Sequence, residues 1–442
     1  MLADALLNAD GLHLTSVALD SGAGYRLGIE TDPGPRGCPS CGVIAVAHGR
    51  RVVTVNDAPI LGLPVVLEWR KRIFRCLEPA CPVTTWTEQH PLAPPRSKLT
   101  ARTAAWAVSL LRDDDTTVAA IARRLGVHWD TVWAAVEPIA AAETGAAPRL
   151  LGVTALGVDE HVWKPSARSA ERMVTSMVDL TRDEQGRMRA RLLDVVPGRS
   201  GPAYAGWLKK TPAGFRDNIA HAALDPFRGY ANALRDELPD SIAVLDAFHV
   251  VKLGTQAVDE VRRRVQLESH GHRGRKDDPL YKIRGLLRRG VEHLTDRQHA
   301  RLAAGLAAGD PTGEVELAWQ TYQRLRSIYG SRRAEGKRVA IGLLEALHMC
   351  PIPEVARLGR TLRQWRQHLL DYFETNGLSN GGTEAINLLI EKTRRLAHGF
   401  RNFDNYRLRI LLNASGTRRA DHASTGLAPQ RPLILTLRSR EV

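Results

Sequence analysis

The chain has 442 residues, 43% hydrophobic and 25% charged. That is an ordinary globular composition, too long for one core and suited to roughly two to four domains. No apolar run reaches the roughly 18 residues of a membrane span, and residues 1–5 carry no basic leader, so a cytoplasmic protein without a membrane partner is expected. Lys and Arg outnumber Asp and Glu 62 to 48, a net charge of +14, which suits a polyanion because neutralised phosphates release their counterions.

Residues 1–95 read as a β-rich module. Apolar and polar residues alternate to either side of a turn at Ser21–Gly24. Cys38 and Cys41 form one close pair, Cys76 and Cys81 another, with strand-like sequence between them. In a cytoplasmic chain this spacing suits a tetrahedral four-thiolate zinc site rather than disulfides. Gly42 lets the backbone turn so that N–H groups face the thiolates. The alternative is four unrelated buried cysteines; the isolated fifth, Cys350, reads as core. A closed thiolate set leaves no open position, so the Zn2+ is expected to be structural. The basic runs His48–Arg51 and Arg70–Arg72 are either phosphate contacts or a solvated face. Residues 90–95 have the proline density of a linker.

Residues 96–148 change to helical periodicity. Val118, Ile121, Ala122 and Leu125 share one face, and Val132, Trp133 and Val136 the next. Thr117 is a fitting N-cap and Gly126 a tight turn, so a helix-turn-helix is expected, a plain helical hairpin being the alternative. The second helix starts near Trp129 and presents Asp130, Thr131 and Ala134 outward. Arg123 and Arg124 lie on the first helix, where contacts to the DNA backbone are usual.

From residue 150 to 250 the pattern is mixed: strands 155–159, 172–180 and 189–196, helix 201–210, strand 219–224, helix 229–238 and strand 241–245. This is the order of a ribonuclease H-like domain, a three-layer α/β architecture. Asp159 ends the first strand, Asp225 closes the fourth and Asp246 the fifth. An acid after an apolar strand is either a solvated strand end or a metal ligand, and Glu160 carries no assignment. Residues 251–374 give almost only helical signals. Residues 249–301 hold 13 Lys and Arg against 7 Asp and Glu, with Arg262, Arg263 and Arg264 the densest point. That run is either a solvated face or a track for the DNA backbone. A polar, turn-rich loop from residue 375 leads to a helix that Thr383 would cap, placing Glu384 in its first turn. Asn387 and Glu391 share its side with Glu384. Residues 375–414 are expected to complete the catalytic core, and 415–442 to form a disordered tail.

Gly157–Glu160, Leu245–Lys252, Thr375–Gly377 with Glu384, and Gly399–Asn402 resemble the DDE transposases of the ISL-three insertion-sequence family. The cysteine module and helix-turn-helix ahead of them are similar too, so the likeness covers about residues 35–412. It implies a ribonuclease H-like core interrupted by an all-α insertion, and cut-and-join chemistry at transposon ends. Asp159, Asp225 and Glu384 match the family's acidic triad. Asp225 is preferred to Asp246 because its strand is expected beside the first. Phosphodiester cleavage needs charge neutralised and a water or 3′-OH activated. Two Mg2+ (or Mn2+) ions do both, and hard cations take carboxylate oxygens.

The expected partner is double-stranded DNA, both transposon ends and target, bound by a homodimer or larger assembly in the nucleoid. Arg123, Arg124, Asp130, Thr131, Arg262, Arg263, Arg264, Arg394, Arg395 and Arg401 are the residues expected against it. A zinc and helix-turn-helix regulator with an inactive ribonuclease H-like domain is the alternative. So is a nuclease of the same fold that cuts without inverted repeats.

Overall fold

The computed structural model describes residues 7–20, 24–165 and 172–416. The expected turn at Ser21–Gly24 and the tail lie, wholly or for the most part, outside them. The chain divides into two compact units, Met1–Gly145 with Ile390–Val442, and Ala146–Leu389.

The first unit opens with β1 (Leu12–Asp20), β2 (Gly24–Thr31), β3 (Val46–Ile60), β4 (Leu63–Arg75) and β5 (Thr85–Thr87) in one sheet, ordered β1-β2-β4-β3 with β5 on β4. Leu61 and Gly62 both take positive φ between β3 and β4, the two-residue geometry that matches the twist of a long hairpin. Val65, Leu67 and Trp69 alternate inward along β4, each 1% exposed, and pack on Leu27, Ile29 and Val55.

Three helices follow: α1 (Ala101–Asp113), α2 (Val118–Leu125) and α3 (Trp129–Glu143). Thr117 caps α2 by accepting from Ala120 N. Gly126, at φ 65, closes it with an N–H directed at Ala122 O and Arg123 O. His128 precedes α3 without a side-chain capping bond. Ile121, Val132 and Val136 are wholly buried between the helices.

The second unit begins with α4 (Ala146–Leu150), then β6 (Ala155–Val162), β7 (Met173–Asp179), β8 (Arg191–Pro197), α5 (Gly201–Lys210), α6 (Ala213–Asp217), β9 (His221–Leu224), α7 (Arg228–Glu237) and β10 (Ile242–Leu245). The sheet order is β10-β9-β6-β7-β8, with β6, β7 and β8 antiparallel and β6, β9 and β10 parallel. The fourth strand starts at His221 rather than 219, because the N–H groups of Ala220 and His221 both turn to Thr154 O. Helices then run in series: α8 (Ala247–His270), α9 (Pro279–Lys282), α10 (Asp296–Gly309), α11 (Glu314–Gly330), α12 (Arg333–Ala346), α13 (Pro353–Gln364) and α14 (Arg366–Glu374). Their apolar faces join one core with the sheet, including Val258, Leu325, Leu343 and Leu362.

Helix α15 (Gly381–Leu396) crosses the division between the units, and α16 (Phe403–Ala414) ends the described chain. Two expectations change here. Thr383 is not the cap: α15 starts two residues earlier, Thr383 N and Glu384 N donate to Asn380 O, and Thr383 is fully buried. Residues 375–414 are also not one segment of the core. Leu408 and Leu412 of α16 pack with the helices of the first unit, and Arg409 donates to Leu111 O and Thr116 O at the end of α1.

Candidate metal and DNA-binding sites

The acidic site lies where β6 and β9 run side by side. Gly157 makes it possible. A Cβ there would sit 2.2 Å from Thr383 Oγ1, 2.6 Å from Asn380 Oδ1 and 2.8 Å from Leu180 Cδ1. Only a bare backbone lets the start of α15 come this close to the strand. Asn380 Nδ2 then donates to Val158 O at 3.0 Å, and Asn387 Nδ2 to Asp159 Oδ2 at 2.8 Å. Ser176 Oγ donates to Asp159 O at 3.1 Å and lies 3.3 Å from Asn387 Oδ1. Glu160 turns the other way, accepting from Tyr230 OH at 3.1 Å and pairing with Arg199 at 2.5 Å.

Asp225, just past the end of β9, reaches both. Asp159, Glu160 and Asp225 each offer a carboxylate oxygen within 4.8 Å of the others. His249 Nδ1 is 2.9 Å from Asp225 Oδ1 and 2.9 Å from Asp246 Oδ2. Only the contact to Asp246 is aligned as a hydrogen bond; Asp225 Oδ1 is buried with no hydrogen-bond partner among the described residues. Asp246 is saturated by contrast. It caps α8 by accepting from His249 N, and it accepts from Asn380 N at 2.8 Å.

Charge crowds this site. Burial, then the charge of Asp225, pushes the Asp159 carboxyl up to about 7. Burial also raises Glu160, against the pull of Arg199. Glu384 is half-buried, raised by desolvation and by the nearby charges of Asp246 and Asp225. Desolvation opposes a charge on His249, yet Asp225 and Asp246 overcome it and lift the imidazole to about 10, so it is a cation at neutral pH. Buried, mutually repelling carboxylates with oxygens within 4.8 Å of one another fit a hard divalent cation.

The four cysteines gather in the first unit, each Sγ within 4.8 Å of the others. Cys38 and Cys81 Sγ are 3.7 Å apart, Cys41 and Cys76 Sγ 3.5 Å. Zinc–sulfur bonds of about 2.3 Å imply tetrahedral edges of roughly 3.8 Å. Desolvation works against thiolate formation at Cys38, but the N–H groups of Cys41 and Ser40 bring it down to about 7.

The residues expected against DNA divide by burial. Arg123 and Arg124 are exposed on the last turn of α2. Asp130 and Thr131 on α3 line an open cleft of about 610 Å³ with residues 94–101. Arg401 is exposed, and Arg394 and Arg395 both pair with Glu391. Two of the three arginines of the run Arg262–Arg264 turn inward. Arg262 is 3% exposed, held by Asp259 and Gln266, and Arg264 is clamped by Glu354, Glu314 and Glu268. Of the three, Arg263 alone stays half-exposed, paired with Asp259 at 2.6 Å. The helix periodicity that turns two of them inward sets their acidic partners opposite.

Residues 156–410, more than half of the chain, match a family model described as a transposase. The chain belongs to this transposase family. Residues 88–140 match the helix-turn-helix domain of transposase family ISL3, and residues 34–81 the zinc-finger of transposase IS204/IS1001/IS1096/IS1165. The family read from the motifs is thus the family matched. The transposase for insertion sequence element IS1557 of Mycobacterium tuberculosis, in strains CDC 1551 and H37Rv, is 27% identical over 303 residues. The match covers 64% of this ISL3-family chain and 65% of each relative, so the chain spans about two thirds of the length of those curated relatives.

The sequence sets Asn387 beside Glu384 without a role and leaves Glu160 unassigned, while Asn380 and His249 join the site only through the fold. Their spacing from Asp159 along the chain gave no signal, except that Asn387 lies one turn after Glu384.

Proposed function

We propose that the chain is a DDE transposase that binds the terminal inverted repeats of an insertion sequence and performs Mg2+-dependent DNA strand cleavage and strand transfer. Asp159, Asp225 and Glu384 are the catalytic acids. The observation that carries this reading is the buried Asp225 carboxylate, with an oxygen within 4.8 Å of an Asp159 oxygen and no hydrogen-bonded group on Oδ1 among the described residues, in a chain of this family. The second unit's sheet, three antiparallel strands followed by two parallel ones on the far side of β6, supports a ribonuclease H-like core with residues 251–374 as its insertion.

Asp159, Asp225 and Glu384 would hold Mg2+ or Mn2+, which supplies charge neutralisation at the scissile phosphate and a more acidic water or 3′-OH. Asn387 holds the Asp159 carboxylate in its orientation from one side. His249 balances charge between Asp225 and Asp246. Asp246 serves the fold, since its oxygens are taken up by the start of α8 and by Asn380. Zn2+ on Cys38, Cys41, Cys76 and Cys81 supports the fold of the N-terminal module. The helix-turn-helix grips double-stranded DNA, and a homodimer or larger assembly brings two ends together.

Purified protein should nick duplexes carrying the element's inverted repeats when Mg2+ is supplied. The double change Asp159→Ala with Glu384→Ala should abolish nicking and keep DNA binding. Cleavage that persists in the double variant would refute these acids. Cleavage of any duplex regardless of repeats would point to a general nuclease instead.

A further inference from the structure

A second cavity, of about 510 Å³, opens in the first unit, between the start of α3 and the loop joining α15 to α16. It is separate from the acidic site. The loop is bent by two left-handed residues in succession, His398 at φ 54 and Gly399 at φ 92, and Asn402 stops it by capping α16. This turn sets Phe400 and Arg401 in the cavity wall opposite Trp129 and Trp133.

The wall is aromatic on one side. The Trp129 and Trp133 rings stack with centroids 5.6 Å apart and an interplanar angle of 23°. Trp133 is 7% exposed and belongs to the core, but Trp129 is 41% exposed. An indole held rigid at its back and bare at its front is a stacking platform. Core packing does not require it, since Ile121, Val132 and Val136 already close the helix-turn-helix.

The wall is polar and cationic elsewhere. Arg409 lines it, 6% exposed, with a guanidinium that donates to Leu111 O, Thr116 O and Asn413 Oδ1. The Asn405 side-chain amide lines it too. Asp115, also in the wall, supplies the counter-charge of Arg409 from a distance, so the Arg409 donors stay directed at oxygen acceptors.

We propose that this cavity takes a single unpaired nucleotide of bound DNA, its base stacked on Trp129 and its polar edge met by Asn405 and Arg409. The inference rests on the DNA-binding reading above. Its size lies within the range of ligand pockets, roughly 300–1,000 Å³. A phosphate of intact duplex would have no use for the indole, whereas an extrahelical base gains by stacking on an aromatic face. That gain offsets the cost of unstacking, which is smallest for a base already unpaired. The mouth is also in the right place, because Trp129 is the first residue of the helix whose N-terminal turn usually meets the base edges.

The test uses the full chain in Mg2+-free buffer and two duplexes of one sequence, one perfect and one with a single-nucleotide bulge. Fluorescence anisotropy should give an affinity about tenfold higher for the bulged duplex. Trp129→Ala should bring the two affinities within about twofold of each other, Trp129→Phe should keep most of the preference, and Asn405→Leu should reduce it. Equal binding of both duplexes by the wild type overturns the pocket but leaves DNA binding intact. An undiminished preference in both Trp129→Ala and Asn405→Leu overturns it as well. Binding to neither duplex overturns this inference and the DNA reading together.

Discussion

Asp159→Asn should stabilise the metal-free protein while ending its chemistry. In the native chain the Asp159 carboxyl is pushed from 3.8 up to about 7 by burial and by Asp225. A folded-state value above the unfolded one means that ionisation opposes folding. The penalty is absent below about pH 4, grows by about 1.4 kcal/mol per pH unit, and levels off above 7 at roughly 4 kcal/mol.

The amide removes that charge at little cost in hydrogen bonds. It can still accept from Glu160 N, and Asn387 can turn its own amide over because Ser176 Oγ can accept as well as donate. Urea-unfolding free energies, measured without Mg2+, should therefore favour the variant over wild type by roughly 2–3 kcal/mol more at pH 8 than at pH 5. Added Mg2+ should stabilise wild type at pH 8 and the variant much less. A difference that stays flat with pH, or a variant that loses ground as pH rises, would refute the electrostatic reasoning.

Gly157→Ala should cost about 1–3 kcal/mol, because its methyl meets three side-chain atoms at 2.2 to 2.8 Å. A displacement of α15 by about 1 Å should also slow strand cleavage on the order of 10²-fold; full activity with unchanged stability would contradict the close approach. Cys76→Ser should empty the zinc site, measured as metal content, and strip hydrogen-exchange protection from residues 34–81 while leaving β6 protected. Protection that survives metal loss would make the thiolates dispensable to the fold. Arg263→Ala should lower the slope of DNA affinity against salt by up to about one, whereas Arg262→Ala should leave that slope alone and destabilise the fold by about 3 kcal/mol. The reverse pattern would return Arg262 to the DNA surface.

Features set by neighbouring residues were legible in the chain. Thr117, Gly126 and the apolar spacing of α2 and α3 define the helix-turn-helix through contacts a few residues apart. Two cysteine pairs state their own ligand set. The strand and helix order of residues 155–245 follows from apolar runs, with most ends shifted by a residue or two; the first strand runs three residues further, to Val162, so Asp159 lies within it rather than at its end. The helix around Glu384 was also readable, but its first turn was not, because Asn380 and the buried Thr383 respond to a strand more than 220 residues earlier.

What the sequence determined by itself was therefore a list of elements, a zinc ligand set, a family and three acids worth testing. Periodicity, capping and spacing are local, so they survive without a fold. Only the tertiary structure decided which acid is spent on structure and which has an oxygen left over. Asp225 and Asp246 look alike at their strand ends, yet Asp246 accepts from Asn380 and from the start of α8, whereas Asp225 Oδ1 has only the His249 ion pair. It also decided that Arg262 and Arg264 are internal, that α16 packs with the N-terminal helices, and that Trp129 stands beside a cavity. Each of these depends on which surfaces meet across long stretches of chain, and no local pattern carries that information.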